Sequence, residues 1–193
     1  MWRILRNKSK KMGTFQENEV FLTNYMLKFC TDLGFLQGIL PNSSDIDGKW
    51  QEIAPDFCAE AAREFNGYPE FCLACAGFLG MAVASLWDFD WERYSSRDYD
   101  FFKGPEGFDT MDEHILWKVL NMPKGSALEQ EAIKKMQSCS TEMHHLMKKS
   151  TVERGTADAY RLFLTAMSVM FKIGEAIELQ RLGYKFEKLK VGQ

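Results

Sequence analysis

Four times along this chain a Ser or Thr stands three residues ahead of a Glu, just before an apolar stripe of helical spacing: Thr14 with Glu17, Thr110 with Glu113, Ser126 with Glu129 and Ser150 with Glu153. In this arrangement the hydroxyl and the carboxylate satisfy amides that the first turn of a helix leaves unpaired. One match carries little. Four, each ahead of its own stripe, commit most of the chain to helix and predict helices over about 15–33, 111–121, 127–149 and 152–182. The residues a sheet needs are thin by comparison, with 6 Val, 8 Ile and 8 Thr among 193 residues, and no useful length alternates apolar with polar.

The stripes supply the rest of the architecture. Leu22, Tyr25, Met26, Phe29 and Leu33 line one face of the first helix. Trp50, Ile53, Ala54, Phe57, Cys58, Ala61 and Phe65 define a second, with Pro55 expected at its first position and Asn66-Gly67 expected to end it in the left-handed conformation. A third helix starts at Pro69 and contains Phe71–Trp87, a run of 17 residues without a charge. That run reaches the short limit for a membrane span, but it is rich in Ala, Gly, Cys and Ser, and it reads as a buried core helix rather than a span. On it Gly77, Gly80 and Ala84 form a strip of small residues where another backbone can approach closely, within the domain or across a dimer. The last helix is apolar from Leu162 to Ile177 except for a narrow stripe of Arg161, Thr165, Ser168, Lys172 and Glu175. The expected fold is all-α, a compact array of about six main helices around two apolar central ones. A basic tail at 1–13 precedes a single helical domain at 14–193, with possible three-helix halves at 14–90 and 109–182.

Charge is distributed unevenly. The net charge is −3, yet residues 1–12 hold five bases and no acid, residues 13–60 sum to −6, residues 61–110 to −5 and residues 111–193 to +3. An acidic middle repels phosphate backbones, so nucleic acid is not an expected partner. The five cysteines, Cys30, Cys58, Cys72, Cys75 and Cys139, are odd in number and scattered through apolar patterns. They read as reduced thiols of a cytoplasmic protein rather than a disulfide framework.

Motifs for chemistry are scarce. There is no phosphate-binding glycine loop, no nucleophile elbow and no zinc-protease signature. Glu142 and His145 have the (i, i+3) spacing of carboxylate-bridged metal bundles, but only one copy exists and the helical wheel turns His145 toward solvent, so neither metal nor cofactor is expected. In the cluster of Asp109, Asp112, Glu113 and His114, the carboxylates read as acids favoured in a first helical turn. Cys72-x-x-Cys75 lacks the electropositive setting of a redox pair, and Cys139 lies on an apolar stripe.

The most unusual stretch is Trp87–Phe102, in which seven of sixteen residues are aromatic and acids alternate with them. Aromatics with polar edges are the usual anchors of interfaces. The expectation is a protein that works by protein–protein contact, as a homodimer or with another partner, through Trp87, Trp91, Tyr94, Tyr99 and Phe101. The alternative is an enzyme or small-molecule binder with a carboxylate-lined cleft between helices. It would need Asp88, Asp90, Glu92, Asp109 and His114 to converge on one concavity.

Overall fold

In the computed structural model, residues 15–187 are described, and within them the chain is all-α with no strand. The basic tail at 1–13 and the hydroxyl of Thr14 lie outside the described residues. The elements are α1 (Phe15–Asp32), α2 (Ser44–Glu64), α3 (Pro69–Tyr94), α4 (Tyr99–Lys103), a 3₁₀ turn (Phe108–Thr110), α5 (Met111–His114), a π turn (Ile115–Val119), α6 (Ala127–Lys148) and α7 (Ala157–Arg181).

The helix starts follow the capping signals in part. Ser126 accepts from the Glu129 amide at 3.2 Å, and the Glu129 carboxylate reaches back to the Gly125 amide, one residue beyond the usual partner. The other two testable boxes do not form. Thr110 caps nothing; its hydroxyl donates to the Gly107 carbonyl at 3.4 Å instead. Ser150 yields to Thr156, which accepts from the Ala159 amide at 3.2 Å and delays the last helix to Ala157. Ser43, unmarked by any Glu three residues on, caps α2.

Two expectations at α2 are corrected. Pro55 does not start the helix: α2 runs unbroken through it from Ser44. Gly67 does not adopt a positive φ; the amides of Gly67 and Tyr68 both turn back onto the Glu64 carbonyl, at 3.0 and 2.8 Å. The expected single helix at 111–121 is also replaced. One turn of α-helix passes into a π turn, closed by the Leu120 amide on the Ile115 carbonyl at 2.8 Å. The wider turn leaves Ile115, Leu116 and Leu120 all buried, which a regular short helix at the periphery would not do.

The centre of the molecule is the pair α3 and α7. Cys72 through Ala84 are buried on every side of α3, and α7 is buried at sixteen of its positions, Glu175 and Glu178 among them. A helix with no wet face has to be wrapped by others, and here α1, α2 and α6 do the wrapping. Among the described residues α3 alone has the length and mean hydropathy (1.6) to cross a membrane, and 78% of that window is covered by the rest of the chain.

The small-residue strip lies where these two helices meet. A Cβ on Gly80 would stand 2.9 Å from the Glu175 amide nitrogen and closer still to the Phe171 carbonyl oxygen. Gly174 answers from the other side, against the Gly77 backbone. Gly77 also faces the sulfur of Met136 on α6. The contact between α3 and α7 is therefore backbone on backbone, inside one chain.

The first helix buries a stripe slightly rotated from the expected one. Leu22, Met26 and Cys30 face the core, whereas Tyr25 and Leu33 are exposed. Cys30, one of the thiols expected within the apolar patterns, completes the (i, i+4, i+8) line.

Candidate functional site

The aromatic segment is built on the far end of α3. Helical geometry breaks at Asp90, whose φ of −168° and ψ of 81° divide α3 into a long buried helix and a last turn. The Asp90 side chain accepts from the Arg93 amide at 3.2 Å and so caps that turn. Asp98 does the same for α4, accepting from Phe101 N at 3.2 Å. Acids that look in sequence like an alternating charged surface are therefore in part helix caps, each restarting the chain after a break.

Those two breaks fold most of the aromatics back. Tyr99 is 4% exposed and Phe102 is fully enclosed. Tyr99 packs edge-on to Phe57 with ring centres 6.2 Å apart and donates its hydroxyl to Glu60 at 2.7 Å. Burial, with the Glu60 carboxylate beside it, raises the Tyr99 pKa. Tyr99 is thus a core residue, and its expected role as a surface anchor is corrected. Trp87, Trp91, Tyr94 and Phe101 are half-buried. Trp87 donates to Asp45 at 3.2 Å and packs on Tyr184, while Arg97 lies over both Tyr94 and Phe101. What remains outside is Phe89, 72% exposed, its ring 6.2 Å from that of Tyr94, with exposed Asp88, Asp90 and Glu92 beside it in sequence. Phe89 was the one aromatic of the upstream half not singled out from sequence. Its exposure follows from the break at Asp90, which no periodicity signals.

The carboxylates of the alternative cleft do not share a groove with His114. His114 lines a shallow one of about 490 Å³ with Asp100, Gly104 and Lys118, and none of Asp88, Asp90, Glu92 or Asp109 belongs to it. Asp88 is engaged elsewhere, accepting from the Tyr184 hydroxyl at 2.7 Å. His114 donates through Nε2 to the Phe101 carbonyl at 3.1 Å, since a carbonyl can only accept. Gly104 sits against the imidazole where any Cβ would collide, and its φ of +80° suits only glycine. His114 ties α5 to α4.

Metal-like spacings resolve into pairs. The Glu142 carboxylate accepts from the Tyr25 hydroxyl at 2.6 Å and stands 3.8 Å from exposed His145. His144 binds Glu70 at 2.7 Å through Nδ1, and Thr141 donates to the same carboxylate at 3.0 Å. Among the described residues no three His, Cys, Asp or Glu side chains come together as a metal site. Cys72 and Cys75 are both buried, and burial pushes the Cys72 thiol up to about 12 and raises the Cys75 thiol well above its ordinary value, the reverse of what a nucleophilic thiolate needs. Cys139 lies 3.5 Å from Cys30, sulfur to sulfur, a pairing of α6 with α1 that sequence spacing does not hint at.

The most perturbed carboxylate was also missed as such. Glu175, on the apparent polar stripe of α7, is 1% exposed and its Oε1 has no partner. Burial, with Asp47 nearby, pushes its pKa up to about 8. On that stripe Thr165 and Glu175 are buried, whereas Arg161 is exposed and Ser168 and Lys172 are half-buried.

Comparison with protein-family models, with curated proteins and with solved structures yields no match to this chain.

Proposed function

We propose that this protein works by contact with other polypeptides, and that the broken end of α3 takes a basic segment carrying an apolar anchor, in the first instance from a second copy of the chain. The observation that carries the reading is Phe89, an aromatic 72% exposed with exposed Asp88, Asp90 and Glu92 beside it in sequence, on a segment whose Trp87 and Trp91 pack on the core. Exposed aromatics on preorganised backbone are efficient anchors because little is lost in ordering them. The complementary chemistry exists in the same sequence: residues 1–12 hold Arg3, Arg6, Lys8, Lys10 and Lys11 with Trp2, Ile4 and Leu5 and no acid. Opposite charges favour the encounter, and a buried ring fixes the register.

Light scattering on the full chain tests this. A monomer has a mass of 22.3 kDa, and the expected species is twice that, dissociating as salt is raised beyond the range where exposed charges attract. Combining Phe89→Ala with Glu92→Lys, at an exposed position, should return the monomer without loss of helix. A monomer at every concentration, or a dimer indifferent to both salt and these changes, refutes the reading.

A further inference from the structure

A second concavity lies at the opposite end of α3, away from Phe89. It is a groove of about 320 Å³ between the end of α2, the start of α3, the last turn of α6, and the connection into α7. Its floor is apolar, formed by Phe65, Met147, Val152 and Leu162, and its polar rim carries His144, Lys148 and Arg154 with no acid lining it.

The rim's bases come from the 111–193 stretch, which sums to +3, rather than from the acidic residues 13–110. Lys148 and Arg154 are exposed and have no ion-pair partner among the described residues, whereas seven other bases, including Lys49, Lys103 and Arg181, do. Of the acids beside the groove, Glu70 is already occupied by His144 and Thr141, with Lys148 close enough to help hold its pKa down, and Glu64 reaches toward Gly67 on the α2 side, away from Lys148 and Arg154 in sequence. Because His144 binds Glu70 through Nδ1, its Nε2 is left as the ring nitrogen without a partner. The start of α3 at Pro69 is on the rim and no side chain caps it, so the positive end of a 26-residue helix adds to the same field.

We infer that this groove binds a small amphipathic anion, with an apolar body on the Phe65–Leu162 floor and a carboxylate or phosphate head between Lys148 and Arg154. The volume is at the small end of ligand cavities, which suits a short acyl or single-ring body. The two bases supply charge-assisted hydrogen bonds, and the dry floor separates such a ligand from free inorganic anions.

Calorimetric titration of the full chain with octanoate, octyl phosphate, 1-octanol and inorganic phosphate tests the assignment. One of the two amphipathic anions is expected to bind at least about tenfold more tightly than either octanol or inorganic phosphate, because only it engages floor and rim together. The tighter of the two identifies the head group. Lys148→Ala with Arg154→Ala, both at exposed positions, should cost the anion about tenfold or more and leave octanol unchanged. Lys134→Ala, exposed on the same helix away from the groove, should change neither. The inference is overturned if neither amphipathic anion binds, if octanol binds as well as they do, if the double variant keeps full affinity, or if Lys134→Ala weakens binding equally.

Discussion

Replacing Gly80 with alanine adds one methyl group at the place where α3 and α7 touch. On an isolated helix the change is favourable by up to about 1 kcal/mol, since alanine loses less backbone entropy than glycine. Here the new carbon would meet the Phe171 carbonyl group and, at 2.9 Å, the Glu175 amide nitrogen. Non-bonded carbon prefers about 3.5 Å or more, so the two backbones must part by upwards of about half an ångström. Neither obstacle is the mobile end of a side chain, and both helices are buried where they meet, so the displacement spreads through the core. Overpacking of this kind costs about 1–3 kcal/mol and sometimes more; a backbone-on-backbone clash belongs at the top of that range. In a chain of this length a loss of about 3 kcal/mol lowers Tm by roughly 6–12 °C. The control is Gly48→Ala in α2, where an added Cβ meets nothing within 4 Å. It should stabilise by about 0.5–1 kcal/mol. Thermal unfolding followed by circular dichroism reads both. The reasoning fails if Gly80→Ala is as stable as the parent, or if the two substitutions shift Tm in the same direction.

Glu175→Gln should gain on the parent as pH rises. With a folded pKa of about 8 against an ordinary 4.5, the native state holds a proton that the unfolded chain has released. This group's contribution is therefore fully present below pH 4.5 and is lost through pH 8, by at most about 5 kcal/mol. A difference between variant and parent that stays flat from pH 4 to pH 9 in denaturant titrations would count against it. Glu129→Ala leaves the Trp117 indole N–H and the Gly125 amide without their acceptor, and should cost about 2–4 kcal/mol by urea unfolding, well beyond the loss of about 1 kcal/mol expected for Ser126→Ala. Tyr99→Ala should cost about 3 kcal/mol or more as a core cavity, while Phe89→Ala should change stability by less than about 0.5 kcal/mol; equal losses would mean that Phe89 is packed rather than exposed.

Local chemistry made much of this molecule legible in the sequence. Helix follows from stripes at 3–4 spacing and from the shortage of β-branched residues, because a helix satisfies its own backbone and asks only for one covered face. The enclosure of α3 follows from its uncharged run, and the box at Ser126 and Glu129 follows from a spacing of three. What needed the tertiary structure was every feature that depends on a neighbour from elsewhere in the chain. Thr156 rather than Ser150 starts α7, since competing caps of similar strength are decided by where the helix must dock. Pro55 stays inside α2 because packing against α3 outweighs the loss of one hydrogen bond. Glu175 reads as a wet stripe until Asp47 and the wrapping helices remove the water. Tyr99 and Phe89, two aromatics in one acidic run, part company at the break at Asp90, one drawn onto Phe57 and the other left in solvent. Periodicity records which faces are oily; only the assembled helices determine which of them are covered.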